Sequence, residues 1–130
     1  MHDIPFQTLT GVASAIAARE VSSVEVVRSC VQQIERLDPL LHFFIWKQFD
    51  EALAAAERAD AEVASGAPLG PLHGVPLAHK DMFYMAGKPA TCGSKIRRDF
   101  RPTYTATAMQ RLDDDFAPVF HLNSTPFAQL

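Results

Sequence analysis

The stretch Ala67-Pro68-Leu69-Gly70-Pro71-Leu72-His73-Gly74 constrains the fold of this chain most. Its prolines and glycines suit neither a helix interior nor a central strand, so the backbone must turn sharply there. Before the turn, apolar residues recur mainly with helical spacing. After it comes a short apolar run, Val75-Pro76-Leu77-Ala78-His79, which reads as a strand and ends on Lys80. Helices and strands that alternate across such a turn predict an α/β layer architecture.

Three helical patterns precede the turn. Thr10 is placed to cap the first, which runs through about Arg19 with Val12 and Ile16 on one face. Ser22 or Ser23 opens the second, and Glu25 stands at capping-box spacing from Ser22. Val24, Val27, Val31, Ile34 and Leu37 form its apolar stripe, and Asp38-Pro39 is expected to end it. Both helices fall within residues 10–37. Leu41-His42-Phe43-Phe44-Ile45-Trp46 predicts a strand over 41–46, with Phe43, Phe44 and Trp46 in the core. An alanine-rich third helix is expected over 50–64, started by Asp50 and closed by Ser65-Gly66.

Beyond the turn, the pattern predicts the Lys-bearing strand over 75–80 and a long loop over 81–104. A helix over 105–115 follows, with Met109 and Leu112 inward. Ala117 to Phe120 reads as a third short strand, and Ser124-Thr125-Pro126 as the opening of another helix. A chain of 130 residues suits one domain. No internal repeat is present.

The formal net charge of −3 gives no reason to expect nucleic acid or an anionic membrane as partner. The basic cluster Lys95, Arg97, Arg98 and Arg101 reads as a solvated loop. Cys30 and Cys92 have no metal-ligand spacing and no disulfide framework, which fits reduced thiols in a cytoplasmic protein. His73 and His79 flank the strand without a third ligand at usable spacing, so no metal and no cofactor are expected. The N-terminus lacks a signal-peptide pattern, and no apolar run reaches the length of a membrane span.

Lys80 carries the chemistry. A lysine stripped of water has a lowered pKa and accepts a proton near neutral pH. The segment Gly70-Pro-Leu-His-Gly-Val-Pro-Leu-Ala-His-Lys-Asp-Met-Phe-Tyr-Met-Ala-Gly87, followed by Thr91-Cys-Gly-Ser94, resembles the N-terminal part of the amidase signature family. That family includes amidases and the A subunits of glutamyl-tRNA amidotransferases. The resemblance runs upstream through residues 18–25 and 41–45 and downstream through 105–112 to Asn123 and Phe127-Ala128.

The resemblance implies an incomplete portion of the amidase signature fold, helices packed on a mixed sheet. It implies carboxamide hydrolysis to carboxylate and ammonia by a Ser, cis-Ser and Lys triad. Lys80 matches the family's lysine. Met82, Phe83 and Ser94 are candidates for the substrate pocket, and the substrate is a small-molecule amide. The family's two serines lie in a downstream Gly/Ser-rich segment that this sequence does not contain, and Ser22-Ser23 match a helix start instead. The family pattern also places Gly at Asp115, Gly at Phe120 and Glu at Pro126. These departures point to a truncated or degraded reading frame, inactive alone. The alternative is a non-catalytic remnant or interaction module that self-associates through an open sheet edge.

Overall fold

The computed structural model of the chain describes residues 4–115 and 122–124. After a 3-10 turn, Ile4–Phe6, come helix α1 (Leu9–Ala17), helix α2 (Ser23–Leu41) and strand β1 (Phe44–Trp46). Helix α3 (Phe49–Ser65), strand β2 (Ala78–Lys80), helix α4 (Thr107–Asp115) and strand β3 (Leu122–Ser124) complete the order. A second 3-10 turn, Lys95–Arg97, interrupts the long segment between β2 and α4.

Local chemistry explains the helix ends. Thr8, not Thr10, caps α1, its hydroxyl accepting from the Gly11 N–H. Ser22 caps α2 in a reciprocal box: Ser22 Oγ accepts the Glu25 N–H, and the Glu25 carboxylate accepts the Ser22 N–H. Gln48 stands at the N-cap of α3 without a side-chain bond, and Gly66 ends that helix in the left-handed conformation.

Helix α2 continues past the expected stop at Asp38-Pro39 to Leu41, with Pro39 inside it. Both Pro39 and Glu35 are exposed, so water can take the carbonyl that Pro39 leaves without its helical donor. Asp38 then organises the exit. Its backbone carbonyl accepts the His42 N–H at 2.7 Å. Its buried carboxylate accepts the Phe43 and Phe44 N–H groups and the Lys47 ammonium, the last at 2.5 Å. Burial opposes ionisation of this carboxyl, but Lys47 and the two N–H groups outweigh it and hold its pKa below the ordinary value.

Helices α2 and α3 pack on each other. The buried face of α3 is Ala52, Ala55, Ala56, Ala59 and Val63, a helical stripe of mostly single methyl groups. Val27 meets the alanines, while Val12, Ala15, Ile16, Val21, Val26, Val63 and Val75 form a second cluster with α1. A buried methyl(ene) group contributes about 0.8 kcal/mol. Hydrogen bonds to a charged group contribute about 1.5–3 kcal/mol each, so polar ties weigh as much as packing here. Asp60 on α3 accepts the Ser23 and Val24 N–H groups at the start of α2. Ser23 Oγ donates to the Gly74 carbonyl at 2.5 Å. His73 is buried with Nε2 3.0 Å from the Ala59 carbonyl. The sharp turn is thereby fixed to both helices.

The sheet order is β1-β3-β2. β3 runs antiparallel to β1, with a register irregularity between Phe44 and Trp46, and parallel to β2. The parallel pair places Ala78 opposite Leu122, His79 opposite Asn123 and Lys80 opposite Ser124. The connection from β2 to β3 passes through α4, as a parallel pairing requires a long crossover.

Several expectations are corrected. The strand over 41–46 shortens to its last half because residues through Leu41 join α2. The Lys-bearing strand begins at Ala78, since Val75 to Leu77 remain part of the turn's exit. A strand lies at Leu122–Ser124, so Ser124 belongs to β3 rather than to a helix start. The strand expected over 117–120 and the helix expected beyond Ser124 lie outside the described residues. Val26 rather than Val24 or Val31 is fully buried on α2, and Leu37 is exposed. Phe43 is exposed, whereas Phe44 and Trp46 on the other face of β1 are half-buried, the Lys88 ammonium lying 5.3 Å from the Trp46 ring centroid.

Candidate functional site

Lys80 ends β2, and the backbone turns immediately after it. The Lys80 carbonyl accepts the N–H of Met82 at 2.7 Å and of Phe83 at 3.1 Å. The side chain is exposed, as is Ala78. The desolvation expected for this lysine is therefore not supplied by the described residues. His79 is the part of β2 that turns inward. Burial lowers its pKa, offset in part by Nδ1 lying 3.2 Å from the Lys80 carbonyl and by the nearby Asp81 charge.

Asp81 is the residue that sequence reasoning missed. It is 1% exposed. Its carboxylate accepts the Thr91 N–H at 2.9 Å, the Thr91 hydroxyl and, more weakly, the Gly93 N–H at 3.3 Å. Its carbonyl accepts the Cys92 N–H at 2.9 Å. A buried carboxylate is stable only with such partners. It pins the Thr91-Cys-Gly-Ser94 turn directly beside the lysine strand. That turn closes with the Ser94 N–H donating to the Thr91 carbonyl. Cys92 and Gly93 both take positive φ, +51° and +69°.

The rest of the 81–104 segment is closely tied to itself. The N–H groups of Gly87 and Ala90 donate to the carbonyls of Pro102 and Phe100, and Ala106 donates to Tyr84. Arg97 lies over the Phe100 ring at 4.3 Å and donates to the Tyr84 hydroxyl at 2.7 Å. That bond to Tyr84 raises its pKa further against a desolvation that opposes it. Arg97 thus leaves the basic cluster to become a clamp, while Lys95, Arg98 and Arg101 stay exposed.

The substrate-pocket candidates separate. Ser94 stands before the Lys95–Arg97 turn and lines a cleft of about 360 Å³ with Asp38, His42, Phe44, Thr91 and Arg98 among its walls. Met82 is 51% and Phe83 42% exposed, and neither lines that cleft. Ser22 and Ser23 serve α2 as described. Cys30 is half-buried against the α1 cluster, and burial raises its pKa; Cys92 is exposed. Among the described residues, no group of three His, Cys, Asp or Glu side chains is placed to hold a metal ion. Among them, too, no helix is long and apolar enough to cross a membrane.

Comparison with known proteins gives a consistent answer. The sequence profile of the family described as Amidase matches residues 25–128. The chain is 47% identical over 114 residues to the A subunit of the glutamyl-tRNA(Gln) amidotransferase of Acidothermus cellulolyticus, covering 88% of this chain and 23% of that protein. Its fold is similar to a bacterial aryl acylamidase of the amidase signature enzymes, with TM-score 0.84 and 25% identity, over 95% of this chain and 26% of the other. It is also similar to the peptide amidase of Stenotrophomonas maltophilia, with TM-score 0.82 and 29% identity, again over 95% of this chain and 26% of the other. The chain therefore spans about a quarter of the length of the proteins it matches, and its helices and mixed sheet form part of the amidase signature fold.

Proposed function

The chain belongs to the amidase family, and on that premise we propose that it is the lysine-bearing segment of a carboxamide hydrolase. In this reading Lys80 is the proton acceptor. A serine nucleophile attacks the amide carbonyl, and a second serine relays the nucleophile's proton to the neutral lysine. As the C–N bond breaks, the proton held by Lys80 passes to the leaving nitrogen and ammonia departs; water then hydrolyses the acyl-serine to free the carboxylate. Both serines come from a Gly/Ser-rich portion of the fold outside these 130 residues. The chain alone is inactive, and the substrate is a small linear amide.

The observation that carries the reading is the buried Asp81 carboxylate, which holds the 91–94 turn against the residue that follows Lys80. The lysine's position is built by a fixed strand end and a fixed turn. Its exposure is what remains when the segments that exclude water belong to the rest of the fold.

The test mixes this chain with a separately produced C-terminal portion of an amidase relative and measures ammonia release from simple carboxamides. Release by the mixture, none by the chain alone, and none with Lys80→Ala is the expected pattern. Release that persists in Lys80→Ala ends the Lys80 assignment.

A second reading rests on the sheet edge. β2 is an outer strand with Ala78 and Lys80 exposed, and Leu40, Leu41, Phe43 and Ile45 are exposed near β1. Open edges and apolar faces favour association. In this reading the chain is a non-catalytic module that self-associates. Size-exclusion chromatography and circular dichroism of the isolated chain separate the two readings, because a compact monomer with a cooperative melt counts against the module.

A further inference from the structure

We propose that the cleft between the end of α2 and the 91–98 segment binds the oxyanion of a small organic molecule, a carboxylate or phosphate carried on an apolar body. The cleft, about 360 Å³, is large enough for such a ligand. Phe44 and Ile45 give it an apolar wall, and Ser94 a hydroxyl. Lys95 and Arg98 line it as well, and among the described residues neither forms an ion pair.

The negative groups at this cleft are engaged, buried or small: the Asp81 carboxylate behind Thr91 and Gly93 is buried and accepts their N–H groups and the Thr91 hydroxyl. Asp38 is its one acidic lining residue, and that carboxylate is engaged by Lys47 and by the Phe43 and Phe44 N–H groups. The C-terminal end of α2 contributes about half a negative charge. Lys95 and Arg98 set two full cationic charges against it, and His42 at the helix end adds two ring nitrogens to the same wall. Arg98 offers a planar fork matched to carboxylate and phosphate, and Lys95 a point charge beside it. The loop that presents both is not loose: Asp81 holds its first residues and Arg97 clamps its far side onto Tyr84. The basic cluster is therefore divided among one structural arginine, Arg97, two cations that line a cleft, Lys95 and Arg98, and Arg101, which donates to the Arg98 and Phe100 carbonyls.

This binding needs no contribution from Lys80, so its fate is separable from that of the hydrolase reading. The experiment is a titration of the isotope-labelled full chain, followed by amide chemical shifts, with phenylacetate, inorganic phosphate and neutral phenylacetamide. Phenylacetate is expected to give saturable shifts at residues 42–45 and 91–98, and phenylacetamide to bind at least fivefold more weakly. Phosphate binding as tight as phenylacetate assigns the site to the oxyanion with little help from the apolar wall; weaker phosphate binding assigns a carboxylate on an apolar body. Lys95→Gln/Arg98→Gln is expected to weaken phenylacetate at least fivefold, and the exposed control pair Arg28→Gln/Arg36→Gln to leave it unchanged. The proposal is overturned by no saturable shift at these residues, by equal binding of acid and amide, or by a Lys95/Arg98 variant that binds as the parent does.

Discussion

Asp81 and Thr91 are joined twice across ten residues of chain, the carboxylate accepting both the backbone N–H and the hydroxyl of the threonine. This pair fixes the turn that approaches the lysine strand from the 90s. Asp81→Asn keeps the shape and removes the charge, and is expected to destabilise the chain by about 2–3 kcal/mol. Thr91→Ser, which keeps the hydroxyl, is expected to cost about 1 kcal/mol or less. Urea unfolding midpoints measure both, and an Asp81→Asn midpoint equal to the parent's shows that the carboxylate does not hold the turn.

The corner at Asp38 predicts a pH dependence. Its pKa is depressed in the folded chain, so the unfolded chain binds the proton more readily. The stability it contributes is full above the ordinary aspartate value of 3.8 and is lost as pH falls through the lower folded value. Asp38→Asn is expected to lower stability at pH 7 and to flatten its decline on acidification. Thermal melts of both proteins from pH 7 to pH 3 measure the difference; parallel declines would remove Asp38 from the account.

Gly74 is expected to resist substitution. It has φ +73°, and a methyl group there would lie 2.9 Å from Ser23 Oγ, which also donates to the Gly74 carbonyl. Gly74→Ala combines left-handed strain with a contact at the α2 start, a loss of about 1–3 kcal/mol. Gly66→Ala has left-handed φ but open space, so it isolates the conformational part at about 1 kcal/mol. Equal melting temperatures for the two variants would show that the Ser23 contact costs nothing.

Cys92 offers the opposite sign. It is a non-glycine residue at φ +51° with an exposed side chain. Cys92→Gly is expected to stabilise the turn slightly or leave it unchanged, within about 1 kcal/mol, because relief of strain is set against added unfolded-state freedom. A loss above that range, read by urea unfolding, would mean that the thiol packs in a way its exposure does not reveal.

Features written in a few neighbouring residues were legible in the sequence. The Ser22 and Glu25 box, the Gly66 stop and the inward Met109 all follow from spacing alone. Features that depend on distant partners were not. Asp38-Pro39 reads as a helix end, yet Asp38's bonds to Phe43, Phe44 and Lys47 carry the helix on to Leu41. Thr10 looks as suitable a cap as Thr8, and only the backbone path selects the latter. Lys80 was found by its flanking motif, but its exposure depends on what packs over β2, a tertiary property with no local sign. Asp81 went unnoticed because an aspartate after a strand resembles any turn residue until Thr91 is brought to it.

The order β1-β3-β2 also governs when this part of the molecule can form. The strand made last among the three lies between the other two. Among the described residues, β1 and β2 have no strand neighbour until residues 122–124 leave the ribosome, whereas α1, α2 and α3 can dock as soon as the turn at Gly74 is made. The helical half is thus a scaffold that can form before this sheet, and the backbone beneath Lys80 gains its pairing with β3 only after the helices are in place.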